Sequence, residues 1–460
     1  MGPDYSRPQL DLPREWNVLP TGAEARSAAI GAWWEGFGDA ALSDLIRRAV
    51  EGNLDLKVAT GRVAEARALY GVEASAQYPA IDADGQVTYV RASENAFLPG
   101  GDADTLHSVG VSASWEVDLF GRVRRSVEAA GASAQASEED RRDVLVSICA
   151  EVANAYVSVR TLQRRLAVAR ENLESQGRIV ELTRVRREGG ISSSLDVAQA
   201  ESIYANTQTI IPPLEVLLER ELNRLGVLLG EYPRALWAEL SPAAPIPGLP
   251  ATLAVNLPAD LIRQRPDIRR AERDLAAQTA LIGVAKGDLY PRLTLLGSFG
   301  FDATDASLLF NGASRSYSAG PSVRWDVFAG GRIRALIRAQ EARTDQALAR
   351  YEATVLGALE EVENALISFD HLRRERQAVT DAVRAATRSL DLSTTLYKDG
   401  VADFQNVLDA QRVVLQFQDA LSVIEGAIVQ SIVQVYRAAG GGWQVLEPSS
   451  REPKETDEQK

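Results

Sequence analysis

One cysteine, one methionine and two histidines are all that this 460-residue chain offers to a soft metal or to nucleophilic catalysis. Cys149 alone makes neither an intramolecular disulfide nor a thiolate cluster, and is expected to be a small packing residue. His107 and His371 fall on segments of different expected type, so neither a zinc centre nor a Ser-His-Asp site can be assembled. No enzymatic activity, metal or cofactor is expected. A run of about 18 apolar residues is also missing, which argues against a transmembrane helix. It leaves open a β-barrel, whose strands of about 10 alternating residues barely register in hydropathy. Basic excess is absent too: the formal net charge of −13 argues against nucleic acid. It suits a surface that attracts cations, or simply a solvated acidic one. The opening MGPDYSRPQL shows neither a basic nor an apolar leader, so no signal peptide is read there. Proline is missing from two long stretches, Pro99 to Pro212 and Pro321 to Pro448, and proline is the strongest interior helix breaker.

What is present is a repetition. EGGISSSLDVAQAE (Glu188 to Glu201) is matched 210 positions later by KDGVADFQNVLDAQ (Lys398 to Gln411). At the same offset WEVDLFGR (from Trp115) falls on WDVFAGGR (from Trp325), and EVANAY (from Glu151) on EVENAL (from Glu361). Upstream the offset is 212: ALYGV (from Ala68) meets ALIGV (from Ala280), and Tyr78-Pro79 meets Tyr290-Pro291. The two-residue slip therefore lies between Pro79 and Trp115, in a loop. The chain reads as two copies of one unit, residues 53–230 and 258–440, joined by a Pro-rich linker at 231–257. An N-terminal segment, 1–52, precedes them and a tail, 441–460, follows.

Within the first proline-free gap, Arg122 to Glu188 carries Val144, Ile148, Val152, Ala155, Val159, Leu162 and Leu166 at helical spacing. The stripe reads as a narrow coiled-coil-like seam. A helix of that length runs about 100 Å at 1.5 Å per residue. Arg332 to Lys398 predicts its equal. Shorter helices are expected at 53–77 and 193–230, and again before the second hairpin and at 403–440, with Pro212-Pro213 bending the second. Between each first short helix and its long one the period changes to two. Val109, Val111, Ala113, Trp115, Val117 and Leu119 alternate with Ser108, Ser112, Ser114, Glu116 and Asp118. Leu293, Leu295, Phe299 and Phe301, then Tyr317, Ala319, Val323, Trp325 and Val327, repeat the pattern. These are hairpins at about 80–119 and 292–328, each with one greasy and one wet face. They lie either on a soluble core or in lipid; small polar residues on the wet face suit a water-filled lumen, with Trp115 and Trp325 as membrane-interface aromatics. Four strands cannot close a barrel, and open edges cannot sit in lipid, so the chain must oligomerise.

The duplication, the Tyr-Pro and Gly-Arg blocks, LIRQRPDIRRAE (from Leu261), AGGGWQ (from Ala439) and the opening GPDYSRP together resemble the TolC family of outer-membrane efflux channels. The last two place the resemblance in its OprM/NodT-like lipoprotein branch. It implies a mainly α, internally duplicated homotrimer with a twelve-stranded membrane β-barrel and a long periplasmic α-barrel. It also implies an equatorial region built from the N-terminal segment and the linker. The function implied is that of a passive, gated exit duct in the bacterial outer membrane. Such ducts carry drugs or other small molecules delivered by a periplasmic adaptor (membrane fusion protein) and an inner-membrane transporter. The expected partners are those two proteins, further copies of the chain and outer-membrane lipid. In that branch a lipid-bearing cysteine precedes the GPDY motif; here Met1 stands beside Gly2, so lipid anchoring is implied for the natural protein and assigned to no residue. The alternatives are a non-pore coiled-coil scaffold or adaptor, or a duct for another export system.

The resemblance also implies roles for the repeated turns. Tyr397 and Asp196 fall on a hydrogen-bonded pair that holds such ducts shut. Asp409 falls on a lumen aspartate and Asn406 replaces another, while Asp403 matches an acid near the constriction. Leu195 and Ala402 replace a threonine–arginine link. Gly189, Gly190 and Gly400 mark the tip turns where an adaptor would dock. Bland readings exist: Ser193 to Asp196 fits a capping box, and Asp403 could cap the next helix.

Overall fold

The computed structural model describes residues 1–18, 23–25, 30–91, 93, 103–250, 253–255 and 258–446. Parts of the expected N-terminal segment, hairpin loop and linker, and the tail from Glu447, lie outside the described residues. In chain order the elements are β1 (Ala23–Ala25), α1 (Ala40–Gly52), α2 (Leu54–Ser75), β2 (Ala80–Val90), β3 (Asp104–Val117) and α3 (Arg122–Glu188). Then come α4 (Ser194–Leu228), α5 (Trp237–Leu240), β4 (Leu253–Val255), α6 (Pro258–Gln264) and α7 (Pro266–Gly287). The chain ends with β5 (Arg292–Ala303), β6 (Arg315–Arg324), α8 (Arg332–Lys398), α9 (Phe404–Ala438) and α10 (Trp443–Leu446). The two long helices, 67 residues each, occupy the proline-free stretches. Pro212 and Pro213 remain inside one uninterrupted helix, α4.

Two compact units divide the chain. The first comprises Met1–Gln9, Gly61–Glu139 and Arg270–Ala353. Its centre is an antiparallel sheet in the order β2-β3-β5-β6. Cross-strand partners share a face, so the register sorts the side chains. Ala83, Val111, Phe299 and Tyr317 form one row, and Asp82, Ser112, Ser298 and Ser318 a row on the opposite face. The greasy row is not covered: Val87 is 68% and Tyr317 84% exposed. That disposes of a hairpin lying on a soluble core. Gly110 pairs with Gly300 in mid-sheet, where a Cβ on Gly300 would stand 2.7 Å from the Val109 carbonyl oxygen.

The strands end sooner than alternation suggests. Leu119, Trp325 and Val327 lie past the ladder because the backbone turns there to begin the long helices. Asp118 accepts from the Val123 and Arg124 amides at 3.2 and 2.9 Å, satisfying the free N–H groups of α3. The matching blocks around these turns share one construction. Trp115 donates its indole N–H to the Gln77 carbonyl and Trp325 to that of Leu289, both at 3.0 Å. Arg122 pairs with Glu116 at 2.7 Å, and Arg332 with Asp326 at 2.9 Å. The repeated tryptophan, acid and arginine thus close the same turn twice.

The second unit comprises Leu10–Thr60, Asp140–Arg269 and Thr354–Lys460. Here α3 is far more than a narrow seam. Leu145, Val146, Cys149, Ala153, Tyr156 and Val157 are buried along with Ile148, Val152 and Val159, so nearly every direction around the helix is filled. Neighbours on several sides account for this: Tyr156 donates to Asp39, Gln163 to the Leu240 carbonyl, and Gly426 approaches Thr161. The same helix holds one window apolar enough by composition to cross a membrane, but two-thirds of it is buried in protein, as a core helix would be. Cys149 is fully buried, and burial pushes its thiol up to about 12, so it packs and does not react. β1 and β4 form a short parallel pair between the N-terminal segment and the linker.

Duplication shows here as well. Asn53 donates to the Leu228 carbonyl at 2.8 Å, and its counterpart Arg265 donates to Ala438 at 2.7 Å. Arg265 also pairs with Asp267 and Glu361. Nearby, Trp443 is flanked by the guanidiniums of Arg142 and Arg269 and donates to the Gln264 carbonyl. Burial and the Asp267 charge push the Asp143 carboxyl up to about 6, against the pull of Arg265 and Arg437.

Candidate functional site

The two repeated turns end α3 and α8 in the same way. Gly190 and Gly400 adopt left-handed φ values of 72° and 75°. The amides that follow, on Ile191 and Val401, reach back to the Arg186 and Leu396 carbonyls, each at 2.9 Å. These are Schellman endings, and the left-handed position is what calls for glycine. Gly189 carries no such demand.

After the first turn, Ser193 and Asp196 form the reciprocal capping box that the sequence suggests. Asp196 does more. It accepts from the Ser192 hydroxyl at 2.6 Å, and that oxygen lies 2.9 Å from the Tyr397 hydroxyl. Tyr397 and Asp196 are therefore joined through Ser192 and not directly, a correction to the expected pair. An ionised carboxylate only accepts, so Ser192 donates to Asp196 and receives the Tyr397 proton. Burial would raise the Asp196 carboxyl, but hydrogen bonds from Ser192 and Ser193 and the nearby Arg186 charge hold it below the usual carboxylate range.

Tyr397 is 5% exposed and packs with Phe404, ring centroids 5.0 Å apart, in a cluster that includes Ile179, Ile203 and Val407. Arg186 lies over the same ring: the guanidinium stands 4.8 Å from the ring centroid and donates to the Lys398 carbonyl at 2.8 Å. Sequence reading missed both Ser192 and Arg186. The available signal was weak, a serine before a cap and a basic residue in a last helical turn, where the dipole favours it anyway. Leu195 is exposed and Ala402 half-buried, and neither side chain can make an ionic link.

Asp403 takes the N-cap position of α9 without a side-chain capping bond, so capping does not engage its carboxylate. Asn406 and Asp409 are exposed on one face of α9. With Ser389, Ser393 and Leu396 of α8 they line a groove of about 350 Å³. Asp409 accepts from Gln405 at 3.1 Å and Arg412 at 3.3 Å. The site thus offers hydrogen bonds, a stacked cation and exposed carboxylates, with no nucleophile–base pair. Among the described residues no cluster of three or more His, Cys, Asp or Glu could hold a metal.

The model of the outer membrane efflux protein family matches the chain twice, over residues 45–231 and 257–441. The chain belongs to this family. The two matches start 212 residues apart (257 − 45) and end 210 apart (441 − 231), which are the two offsets of the internal repeat. Outer membrane protein OprJ of Pseudomonas aeruginosa is 35% identical over 451 residues, covering 96% of this chain and 93% of OprJ. The toluene efflux pump outer membrane protein TtgC of Pseudomonas putida is 31% identical over 453 residues, covering 96% and 92%. The solved outer-membrane channel OprN superposes with a TM-score of 0.91 at 35% identity, covering 96% of this chain and 99% of that one. As an outer membrane efflux protein, the chain resides in the outer membrane and forms part of an exit route. Its Trp115 is half-buried and Trp325 exposed, each tied by its indole to a preceding helix end.

Proposed function

We propose that three copies of this outer membrane efflux protein close one barrel and form a passive, gated exit duct for small organic molecules. The observation that carries this is the sheet: its greasy face is exposed, and among the described residues its edge strands β2 and β6 each pair on one side only. Lipid tolerates the first and forbids the second, so β6 of one copy pairs with β2 of the next. Three sheets then give twelve strands. A non-pore scaffold has no use for such a sheet.

The Tyr397–Ser192–Asp196 relay and Arg186 hold the tip shut, while Asp403, Asn406 and Asp409 set the polarity of the opening. Gly189, Gly190 and Gly400 present the turns to a periplasmic adaptor, which connects the duct to an inner-membrane transporter. Trp115 and Trp325 mark the membrane boundary, and the duct itself does no chemistry. The cargo reading rests on TtgC, which serves toluene efflux, and on a chain poor in methionine and histidine. Detergent-purified protein added to planar bilayers tests the proposal. Small closed-state steps that grow when the relay is broken are expected; a monomer that leaves the bilayer silent would overturn it.

A further inference from the structure

The Pro-rich linker is more than a tether. Arg160 of α3 donates to the Pro242 carbonyl at 3.1 Å, and Gln163 donates to the Leu240 carbonyl at 2.7 Å. Further along, Pro247 is buried. Pro242, Pro245 and Pro247 fix φ and supply no N–H, so this stretch joins no helix or ladder. Held at both places, residues 243–249 roof a pocket of about 590 Å³. Its floor is apolar: Ala167 of α3, with Ile428 and Val429 of α9 at 1% and 2% exposure.

Three charged side chains line the same pocket, each from a different helix: Arg164 of α3, Arg376 of α8 and Glu425 of α9. The two arginines are exposed and Glu425 is half-buried. Neighbouring arginines are engaged: Arg165 pairs with Asp419 at 2.7 Å, Arg374 pairs with Asp370 at 2.8 Å, and Arg373 lies over the Phe369 ring. Arg164, Arg376 and Glu425 make no ion pair among the described residues. Two guanidiniums and one carboxylate leave a single positive charge beside the apolar floor.

Pockets of this size, apolar with a few polar groups to fix orientation, are those that hold small ligands. The floor suits a ring or short hydrocarbon body. A guanidinium presents parallel N–H groups to a carboxylate or sulfonate, and is less strongly hydrated than an ammonium. Glu425 acts against a second negative charge on the same ligand. We propose that this pocket binds a small organic monoanion, an apolar body bearing one carboxylate or sulfonate held by Arg164 and Arg376. So placed, the ligand bridges α3 and α8 beneath the linker.

Naphthalene-2-sulfonate is a suitable probe, because its charge does not change with pH. Full-length protein in lipid nanodiscs is titrated with it by isothermal calorimetry, and the signal from empty nanodiscs is subtracted. One saturable site per chain is expected. Arg164→Gln combined with Arg376→Gln should weaken binding about tenfold, and either change alone about threefold. 2-Naphthalenemethanol, the same ring system without the charge, should bind about tenfold more weakly than the sulfonate. Naphthalene-2,6-disulfonate should gain about tenfold in affinity when Glu425 is replaced by glutamine. No binding beyond that of empty nanodiscs, as when a neighbouring copy fills the pocket, would overturn the proposal. Equal affinity for the neutral ring, or affinity indifferent to both arginines, would overturn it as well. Conduction is not measured, so the outcome is separate from the gated-duct reading.

Discussion

Arg186 and Tyr397, from the ends of the two long helices, are joined face to cation: the guanidinium stands 4.8 Å from the ring centroid. The same group donates to the carbonyl of Lys398, the last residue of α8. One side chain therefore fastens the ring and the helix end beneath it.

Replacing Arg186 with alanine should remove both contacts at a cost of about 1–2 kcal/mol to the closed tip. Lysine should restore little, since its ammonium cannot stack and reach the carbonyl as the planar fork does. Planar-bilayer recordings should show roughly a several-fold rise in open probability for Arg186→Ala and nearly as much for Arg186→Lys. Wild-type closure in both variants would remove Arg186 from the latch.

Ser192→Ala should act like Tyr397→Phe combined with Asp196→Ala, because the relay runs through its hydroxyl. The Tyr397 hydroxyl would be left partnerless in a buried ring, at about 1–3 kcal/mol. Adding Tyr397→Phe to Ser192→Ala removes that orphaned hydroxyl and should return part of the closure. A clear additive increase would mean that the two side chains act separately.

The depressed Asp196 carboxyl sets a pH window. Its contribution is present above the unfolded carboxylate pKa of about 3.9 and is lost as pH falls through the lower folded value. Closed-state conductance should stay flat from about pH 8 to 5 and rise only below about 4. A rise centred near neutrality would place the sensitive group elsewhere.

Asp143 behaves in the opposite sense. Its carboxyl is raised to about 6, so its penalty is absent below the unfolded value of about 3.9, grows between the two values and is complete above the folded one. Asp143→Asn should raise the thermal midpoint at pH 8 and leave it unchanged at about pH 4. Thermal unfolding followed by circular dichroism at both values decides it.

The sheet offers a steric test. A Cβ on Gly300 would meet the Val109 carbonyl oxygen at 2.7 Å and the Gly110 Cα at 3.1 Å, and both are backbone atoms that cannot swing aside. Gly300→Ala should cost about 1–3 kcal/mol and reduce assembled protein in the outer-membrane fraction. Gly320→Ala, where the Cβ meets nothing within 4 Å, serves as the control.

Periodicity made the helices and hairpins readable, because a long uninterrupted helix and a two-faced strand each impose one spacing over many residues. Arg122–Glu188 and Arg332–Lys398 begin and end where the sequence pattern changes. Burial was less readable. α3 carries a thin apolar stripe, yet alanines, Tyr156 and polar groups such as Gln163 fill the other directions, since several elements from distant parts of the chain surround it. The strand ends were overrun because Trp325 and Val327 keep the alternation after the backbone has left the ladder. At the tip, the glycines and the capping box announced themselves through local rules. Ser192 and Arg186 did not, because their partners lie more than 200 residues away on another helix.

The two hairpins keep one register although their connections differ in length. Val90 pairs with Asp104 across an intervening 13 residues (91–103), and the positions equivalent by the repeat offsets, 302 and 314, enclose 11 (303–313). Strand pairing is thus indifferent to what is written between the strands. Foreign peptide inserted into the longer connection should therefore leave the sheet and its register intact.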